Sequence, residues 1–473
     1  MRTQVLHVVD ATARHCTRPW RSMAAWLIWG LGLAAIDIPP AHAQAASLTS
    51  ATALDGAALA QLDAVLDPLT PQIIAWRRDL HQHPELSGQE HRTAQKVAEH
   101  LRSLGLEVRT EVGTRGVVGI LRGALPGKTV ALRADMDALP LEEKTGLPFA
   151  STVRALYHGK EVPVMHACGH DAHVAMLMAA AQALTSLRAQ LPGAVKFIFQ
   201  PEEEGAPPTT NSAGHVHSQG AQAMVEAGAV DGVDAIYALH ITANLPAGVV
   251  GYRSGPVMAG ADSVTIDVAG KGGHGSMPWN TVDPVLVASQ IVVGLQPIIS
   301  RQLNLLHEPA VLTIGAVNAG TRHNIIPDSA QLLGSLRTFD TDMRHEAMNR
   351  ITQTVEHIAA ASGATATVRW GPLPYAVTHN PASLTEASLP VLRLVMQGHV
   401  IEIPKGTGSE DFSAFQKKVP GFYYFLGATP PGQQAQTAAP NHSPQFDIDE
   451  RQLPVGARSL AALAWDFLLR TQP

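Results

Sequence analysis

Residues 194–204 read AVKFIFQPEEE, an unbroken apolar run that ends in three adjacent carboxylates, Glu202, Glu203 and Glu204. Two other stretches share the pattern. Residues 129–137, TVALRADMD, run into Asp135 and Asp137, and residues 235–240, AIYALH, end on His240. Apolar runs this short and continuous read as strands buried on both faces, and 172–187 between the first two reads as a helix. Strands and helices alternating in this way, with ionisable residues at the strands' carboxyl ends, predict an α/β sheet that binds its ligand beyond those ends. Upstream, 71–81 and 91–104 predict helices, the second closed by Gly105, and 108–121 predicts a hairpin around Gly113 and Gly116. Residues 44–70 are Ala-rich and read as a leader or a first helix.

From 261 to 370 the order changes. Strands are expected at 263–268, 311–317, 329–338 and 365–370, with helices at 284–301 and 344–361, the first capped by Asp283. That β-α-β-β-α-β order is the ferredoxin-like split unit. Residues 371–374, GPLP, punctuate a return to mixed α/β sequence. The expected architecture is a larger α/β domain in two parts, 44–260 and 371–473, with a small α+β domain, 261–370, inserted between them.

The chain has 473 residues, 45% hydrophobic and 16% charged, which is globular composition. Lys and Arg number 34 against 40 Asp and Glu, a formal charge of −6. With no basic surplus to neutralise phosphates, nucleic acid is excluded as a partner class. Arg2, Arg14, Arg18 and Arg21 precede an apolar run at 23–36, and Ala41-His42-Ala43 fits a small-residue cleavage site. Residues 1–43 therefore read as a signal peptide, the run being short for a membrane span. The expectation is a periplasmic or secreted protein without stable membrane insertion after cleavage; an uncleaved anchor is the alternative. Only two cysteines occur, Cys16 in the leader and Cys168. A lone thiol in an oxidising compartment is a liability unless it is buried, metal-bound or catalytic.

Cys168 stands in the densest cluster of ligand-type residues, 166–173, HACGHDAH. A thiolate and an imidazole two residues apart, just before a helix, can converge on a cation. Three carboxylates after a buried strand repel one another unless a cation is near, although an acidic triplet is often only a solvated loop. His240 closes the third strand. His442, in a polar stretch, carries no signal alone. His81 and His83 look like a ligand pair, but they end a helix before Pro84, where structural hydrogen bonding is the simpler reading. Residues 270–275, GKGGHG, match a dinucleotide-binding spacing without opening a helix, so that chemistry is rejected.

The motifs MHACGHDAH, RADMDALP, FQPEEEG, ALH, GGHGSMP, GTGSEDFS and NHSP occur in this order. In them the chain, over roughly residues 70–470, resembles the M20 family of metallopeptidases. It is most similar to the amidohydrolase branch of hippurate hydrolases, N-acyl-amino-acid deacylases and auxin-conjugate hydrolases. The resemblance implies two divalent metal ions per subunit, zinc first and manganese, cobalt or nickel as alternatives. By position it implies the ligands Cys168, His170, Glu204, His240 and His442, with Cys168 bridging. It implies Glu203 as general base, Asp137 orienting a ligand imidazole, and His274 on the insert stabilising the oxyanion. Asn324 and Arg337 would grip a substrate carboxylate, and the backbone at Gly408 and Ser409 would line the pocket. Relatives often use one subunit's insert to complete another's site, so a homodimer or higher homo-oligomer is expected.

The implied activity is hydrolysis of the amide bond of N-acyl amino acids, aromatic ones first, of hippurate or ochratoxin type, to a carboxylic acid and a free amino acid. A dipeptidase or carboxypeptidase of the same family is the alternative. From other classes, a cysteine-nucleophile hydrolase and a non-catalytic metal or peptide binder on the same fold are the rivals. Three features depart from the family pattern: Glu202 where alanine is common, Ala172 in place of glycine, and a long 206–217 stretch carrying His215 and His217. Glu203 and Glu204 are expected to face opposite ways on an extended segment.

Overall fold

The computed structural model describes residues 53–207, 216–372 and 375–470; the leader read at 1–43, and His215, lie outside them. Helix α1 (Gly56–Gln82) starts at Asp55, whose carboxylate caps the Ala58 N–H. It is one continuous helix, although the sequence reading set 44–70 apart from 71–81. Pro68 and Pro71 sit inside it. Each removes a backbone bond, but Leu62, Leu66, Ile73 and Leu80 form one buried stripe that holds the helix together across them. Helix α2 (His91–Ser103) stops before Gly105, whose φ of 72° is the left-handed turn a glycine makes without strain.

Strands β1 (Glu107–Val112) and β2 (Gly116–Arg122) form the expected hairpin. Then come β3 (Leu125–Asp135), helix α3 (His170–Ser186), β4 (Pro192–Gln200) and β5 (Ala235–Thr242). The three short apolar runs are immediate neighbours: β3 lies between β4 and β5 and is parallel to both, with Asp135 opposite Gln200 and Arg133 opposite Ala238. Their carboxyl ends therefore share one edge. Side chains alternate between two cores: Val130 and Leu132 pack with the α1–α3 side, and Ala131 packs with Ile198, Ile236 and Phe412 on the other face. Both faces being covered explains why the runs carry no polar alternation.

The next six elements are β6 (Gly260–Ala269), α4 (Pro284–Pro297), β7 (Ala310–Ala319), β8 (Ser329–Thr338), α5 (Thr341–Ala361) and β9 (Thr365–Trp370). They make a four-stranded antiparallel sheet in the order β7-β8-β6-β9 with a core of its own, including Ile266, Ile291, Leu332 and Ile351. Helix α4 buries Val287, Ile291 and Leu295 against this sheet and leaves Leu286 and Val293 exposed. After α6 (Ala382–Val395), strand β10 (Gly421–Gly427) returns to the large sheet parallel to β5, with Phe425 opposite His240. Helix α7 (Leu453–Arg470) then closes the α1–α3 side. The large sheet runs β1-β2-β4-β3-β5-β10 and ends in two three-residue strands, Val250–Tyr252 and Val400–Glu402, so it is mixed rather than all parallel.

Candidate metal centre and active site

Most of the site residues stand at or near a strand end or a helix start, and His442 sits in a turn of the loop after β10. Gly169, with φ 94°, turns the chain so that Cys168 precedes α3 and His170 opens it. His240 lies in β5. Glu203 and Glu204 follow β4, but not on an extended segment. Glu202 is left-handed at φ 59°, and Gly205 N–H donates to Glu202 O, which closes a tight turn. The expected alternation is thereby corrected. Both Glu203 and Glu204 face the same cavity, and Glu202 points away, its carboxylate accepting from Gly220 N–H at 3.1 Å.

Ligand-type atoms converge here in two trios that share the thiol: Cys168, His170 and His240, and Cys168, Glu204 and His442, each trio within 4.8 Å of one another. Cys168 Sγ stands 3.4 Å from His240 Nε2. His442 Nε2 stands 2.9 Å from Glu204 Oε1, an oxygen that has no aligned hydrogen-bond donor. The far nitrogens of two imidazoles are already used. His170 Nδ1 lies 2.8 Å from Asp137 O and 3.2 Å from Asp137 Oδ1, and His240 Nδ1 lies 2.8 Å from Ile241 O. This leaves both Nε2 atoms facing inward, and that of His170 is buried with no aligned hydrogen bond, 3.7 Å from Asp135 Oδ2 and 3.9 Å from Glu203 Oε2. A buried imidazole nitrogen aimed at a thiol and a carboxylate is what a cation site needs. The thiolate, imidazole and carboxylate donor set suits zinc and fits the other transition ions named above. Asp137 Oδ2 also accepts from Ser87 Oγ at 2.6 Å and from Glu204 N–H at 3.0 Å, so one carboxylate orients both a histidine and the glutamate turn.

His173 belongs to the same motif but has no free nitrogen. Its Nδ1 lies 2.5 Å from Asp135 Oδ1 and its Nε2 accepts from Ile241 N–H at 2.8 Å. Burial pulls His240 well below the ordinary histidine range, helped by the neighbouring His173 and His170. Burial also pulls His166 down to about 4, and neither of its nitrogens has a partner. Burial pushes the Cys168 thiol up. Glu203 is pushed well above the usual carboxylate range by burial, then by Glu410, Glu204 and Asp411, with His170 pulling the other way. A carboxyl poised nearer neutrality is the kind that takes and returns a proton.

Beneath Glu203 lies a charged layer that sequence reasoning did not single out. Arg133 is buried. Its Nε donates to Gln200 Oε1 at 2.8 Å, and its terminal nitrogens reach Asp135 at 2.7 Å, Glu410 at 2.9 Å and Asp411 at 3.3 Å. The sequence does carry these groups, in RADMD and SEDFS, but nothing in their spacing says that they meet. Tyr375 was also missed; its hydroxyl donates to Glu203 O at 3.0 Å.

The cluster opens into a cavity of about 470 Å³, lined also by Met258, Arg337, Tyr375, Gly408 and Ser409. That volume lies within the range of small-molecule sites. Arg337 Nη1 donates to Ser409 Oγ at 2.8 Å, which brings two of the residues read as substrate contacts together. The other two insert residues are elsewhere. His274 is exposed and paired opposite Ile325, its Nδ1 accepting from Ser276 N–H, and Asn324 adjoins Gly275 through Gly275 N–H to Asn324 O. Neither lines this cavity. Trp279 is 75% exposed, His217 is exposed, and neither lines the cavity. His81 is buried between Asp171 and Glu143, while His83 Nδ1 donates to Asp79 O on the surface.

The profile described as peptidase family M20/M25/M40 matches residues 131–466. Thermostable carboxypeptidase 1 of Saccharolobus solfataricus is 42% identical over 84% of this chain and 95% of its own length. N-acetylcysteine deacetylase of Bacillus subtilis is 39% identical over 83% of this chain and 96% of its own. Among solved structures, a protein of Bacillus subtilis described as a dinuclear metal-binding peptidase of the M20 family superposes with a TM-score of 0.69. It is 34% identical, over 86% of this chain and all of that one.

Proposed function

Because the chain belongs to peptidase family M20/M25/M40, and is thereby a metal-dependent hydrolase, we propose that it cleaves N-acyl amino acids at the cavity around Cys168. The observation that carries this reading is the shared thiol: Cys168 stands in both trios of ligand-type atoms, with Glu203 alongside His170. In this reading Cys168, His170, Glu204, His240 and His442 hold two divalent ions, zinc first. Bound there, such ions polarise an amide carbonyl and lower the pKa of a water.

The chain's own groups do the rest. Glu203 takes a proton from the attacking water and returns it to the leaving nitrogen. Its turn is held by Tyr375 and by Asp137 through the Glu204 N–H. Arg337, already at the cavity wall, exchanges Ser409 Oγ for the substrate carboxylate, and an Asn324 contributed by a second subunit helps it. His274 supplies the oxyanion donor. Since His274 and Asn324 do not line their own chain's cavity, they complete the site of a second subunit, which makes the working unit a homodimer or larger. The leader read at 1–43 directs the protein to the periplasm or beyond.

The acyl side is aromatic, of hippurate or ochratoxin type. Two aromatic side chains that line the cavity, Phe425 and Tyr375, support this choice. A carboxypeptidase among the relatives favours a second reading, cleavage of short peptides at their carboxyl end. One panel decides between them. N-acetyl, N-benzoyl and other aromatic N-acyl amino acids, and dipeptides, are assayed on stripped protein reloaded with zinc, manganese, cobalt or nickel. Free amino acid is expected from the aromatic conjugates, and Glu203→Gln keeps its metal while losing turnover by at least about a hundredfold. No cleavage of any member with any metal refutes the enzyme reading. Glu203→Gln at wild-type rate refutes the role of Glu203.

A further inference from the structure

His442 is the outlier of the cluster. Its φ is 67°, a left-handed conformation that a residue with a side chain holds only where its surroundings over-determine it. Its side chain is 53% exposed, against 13% for its neighbour Glu204. Three of its residues fix the turn that carries it. Asn441 Nδ2 donates to Cys168 O and Ile241 O at 2.8 and 3.1 Å, and His442 N–H donates to Ala167 O at 2.7 Å. Both belong to the site itself. The third does not: Pro444 O accepts from Lys144 N–H at 2.7 Å.

Lys144 lies in a segment pinned by the side chain of Glu143. Glu143 accepts from Ser151 N–H at 2.6 Å and from the Thr145 hydroxyl, and its Oε1 lies 3.2 Å from His81 Nε2. The side chains of Glu143 and His81 are 1% and 0% exposed. His81 Nδ1 lies 2.8 Å from Asp171 Oδ2, on the residue after His170. Arg77, one turn back on α1, donates to the same oxygen at 2.8 Å. It also reaches Glu450 at 3.3 Å and Asp447 at 3.8 Å, on the chain leaving the His442 turn.

Two side chains one turn apart on α1 thus grip three segments: the start of α3, the stretch around Glu143, and the chain after His442. None of these contacts falls on a proposed ligand. Burying such a set of charges is no better for stability than apolar packing, so its specific return is geometry. We propose that Arg77, His81 and Glu143 are positioning residues for the His442–Glu204 half of the metal centre, acting through the Lys144–Pro444 contact. The inference rests on the two-ion reading above, and its test separates the two.

Zinc binding is titrated on stripped, full-length protein by calorimetry with a competing chelator, with near-ultraviolet dichroism as the check on folding. Wild type is expected to take up two ions. Glu143→Ala is expected to weaken one of them about tenfold, the usual scale for groups that orient ligands, and to leave the other unchanged. Glu143→Gln, which keeps an acceptor for Ser151 N–H, recovers part of the loss. Arg77→Lys keeps a cation in place and gives a milder loss at the same ion, so it serves where Glu143→Ala does not fold. His442→Asn identifies that ion, and adding Glu143→Ala to it changes the affinity no further. Wild-type affinity in folded Glu143→Ala and Arg77→Lys overturns the proposal. So does equal weakening of both ions, or a full additive loss in the double variant. Uptake of one ion or none by wild type overturns the two-ion reading itself, before any variant is compared.

Discussion

Replacing Arg133 by methionine isolates the charged layer under the site. Arg133 joins three carboxylates, the buried Asp135 and Glu410 and the partly buried Asp411, at 2.7, 2.9 and 3.3 Å. Opposite charges about 3 Å apart attract by about 5 kcal/mol at an effective dielectric near 20, and desolvation offsets much of that in the intact cluster. Removing only the cation leaves the desolvation in place. The expected loss is about 3–5 kcal/mol at neutral pH, the scale for breaking a buried pair from one side. Arg133→Lys keeps the charge but not the planar set of donors, and falls between. The sign with pH is a second check. Asp135 is pushed up by burial, yet His170, Arg133 and His173 hold it well below the usual range. Asp411, by contrast, is raised well above the usual range by burial, with Arg133 pulling it down, so losing Arg133 raises it further. That added cost is complete above the raised folded value and fades as pH falls through it toward the unfolded value of about 4. The assay is urea unfolding of chelated wild type and variant at pH values from about 5 to 8. A deficit below about 1 kcal/mol, or one that does not shrink toward acid, refutes this account of the cluster.

Two shorter expectations accompany it. His81 is lowered by burial and by Arg77, but the contacts with Asp171 and Glu143 win and raise it. Its stabilising contribution is therefore complete below about pH 6.5 and is lost as pH climbs through the raised folded value. The gap in urea midpoint between wild type and His81→Gln should narrow on going alkaline; a gap that widens contradicts it. Helix α4 leaves Leu286 and Val293 57% and 71% exposed on its outer face. If that face joins subunits, Leu286→Glu with Val293→Glu gives a monomeric mass by light scattering and lowers activity, because His274 no longer reaches a neighbouring site; an unchanged mass removes this face from consideration.

The large sheet was legible because its central strands are covered on both faces, so apolar continuity alone marked β3, β4 and β5. The insert was legible because each element shows its period. Strand β10 was not read, since GFYYFLG differs little from any buried aromatic stretch, and only its pairing beside β5 makes it a sheet strand. Helix α1 was read short because two prolines argue locally against a helix that distant packing sustains.

The sequence by itself determined the site's chemistry. One thiol, imidazoles, and carboxylates at strand ends are a cation's donors wherever they meet, and side-chain chemistry is a local property. Tertiary structure alone decided which of them meet. The turn after β4 swings Glu203 and Glu204 to one side and Glu202 to the other, against the alternation of an extended segment. His173 spends both nitrogens on Asp135 and Ile241 and is withdrawn from the cluster. Arg133 meets Glu410 across 277 positions, and the hold on His442 runs back to α1. Such contacts join segments far apart in the chain, and their energy depends on burial and distance, quantities that no local pattern encodes.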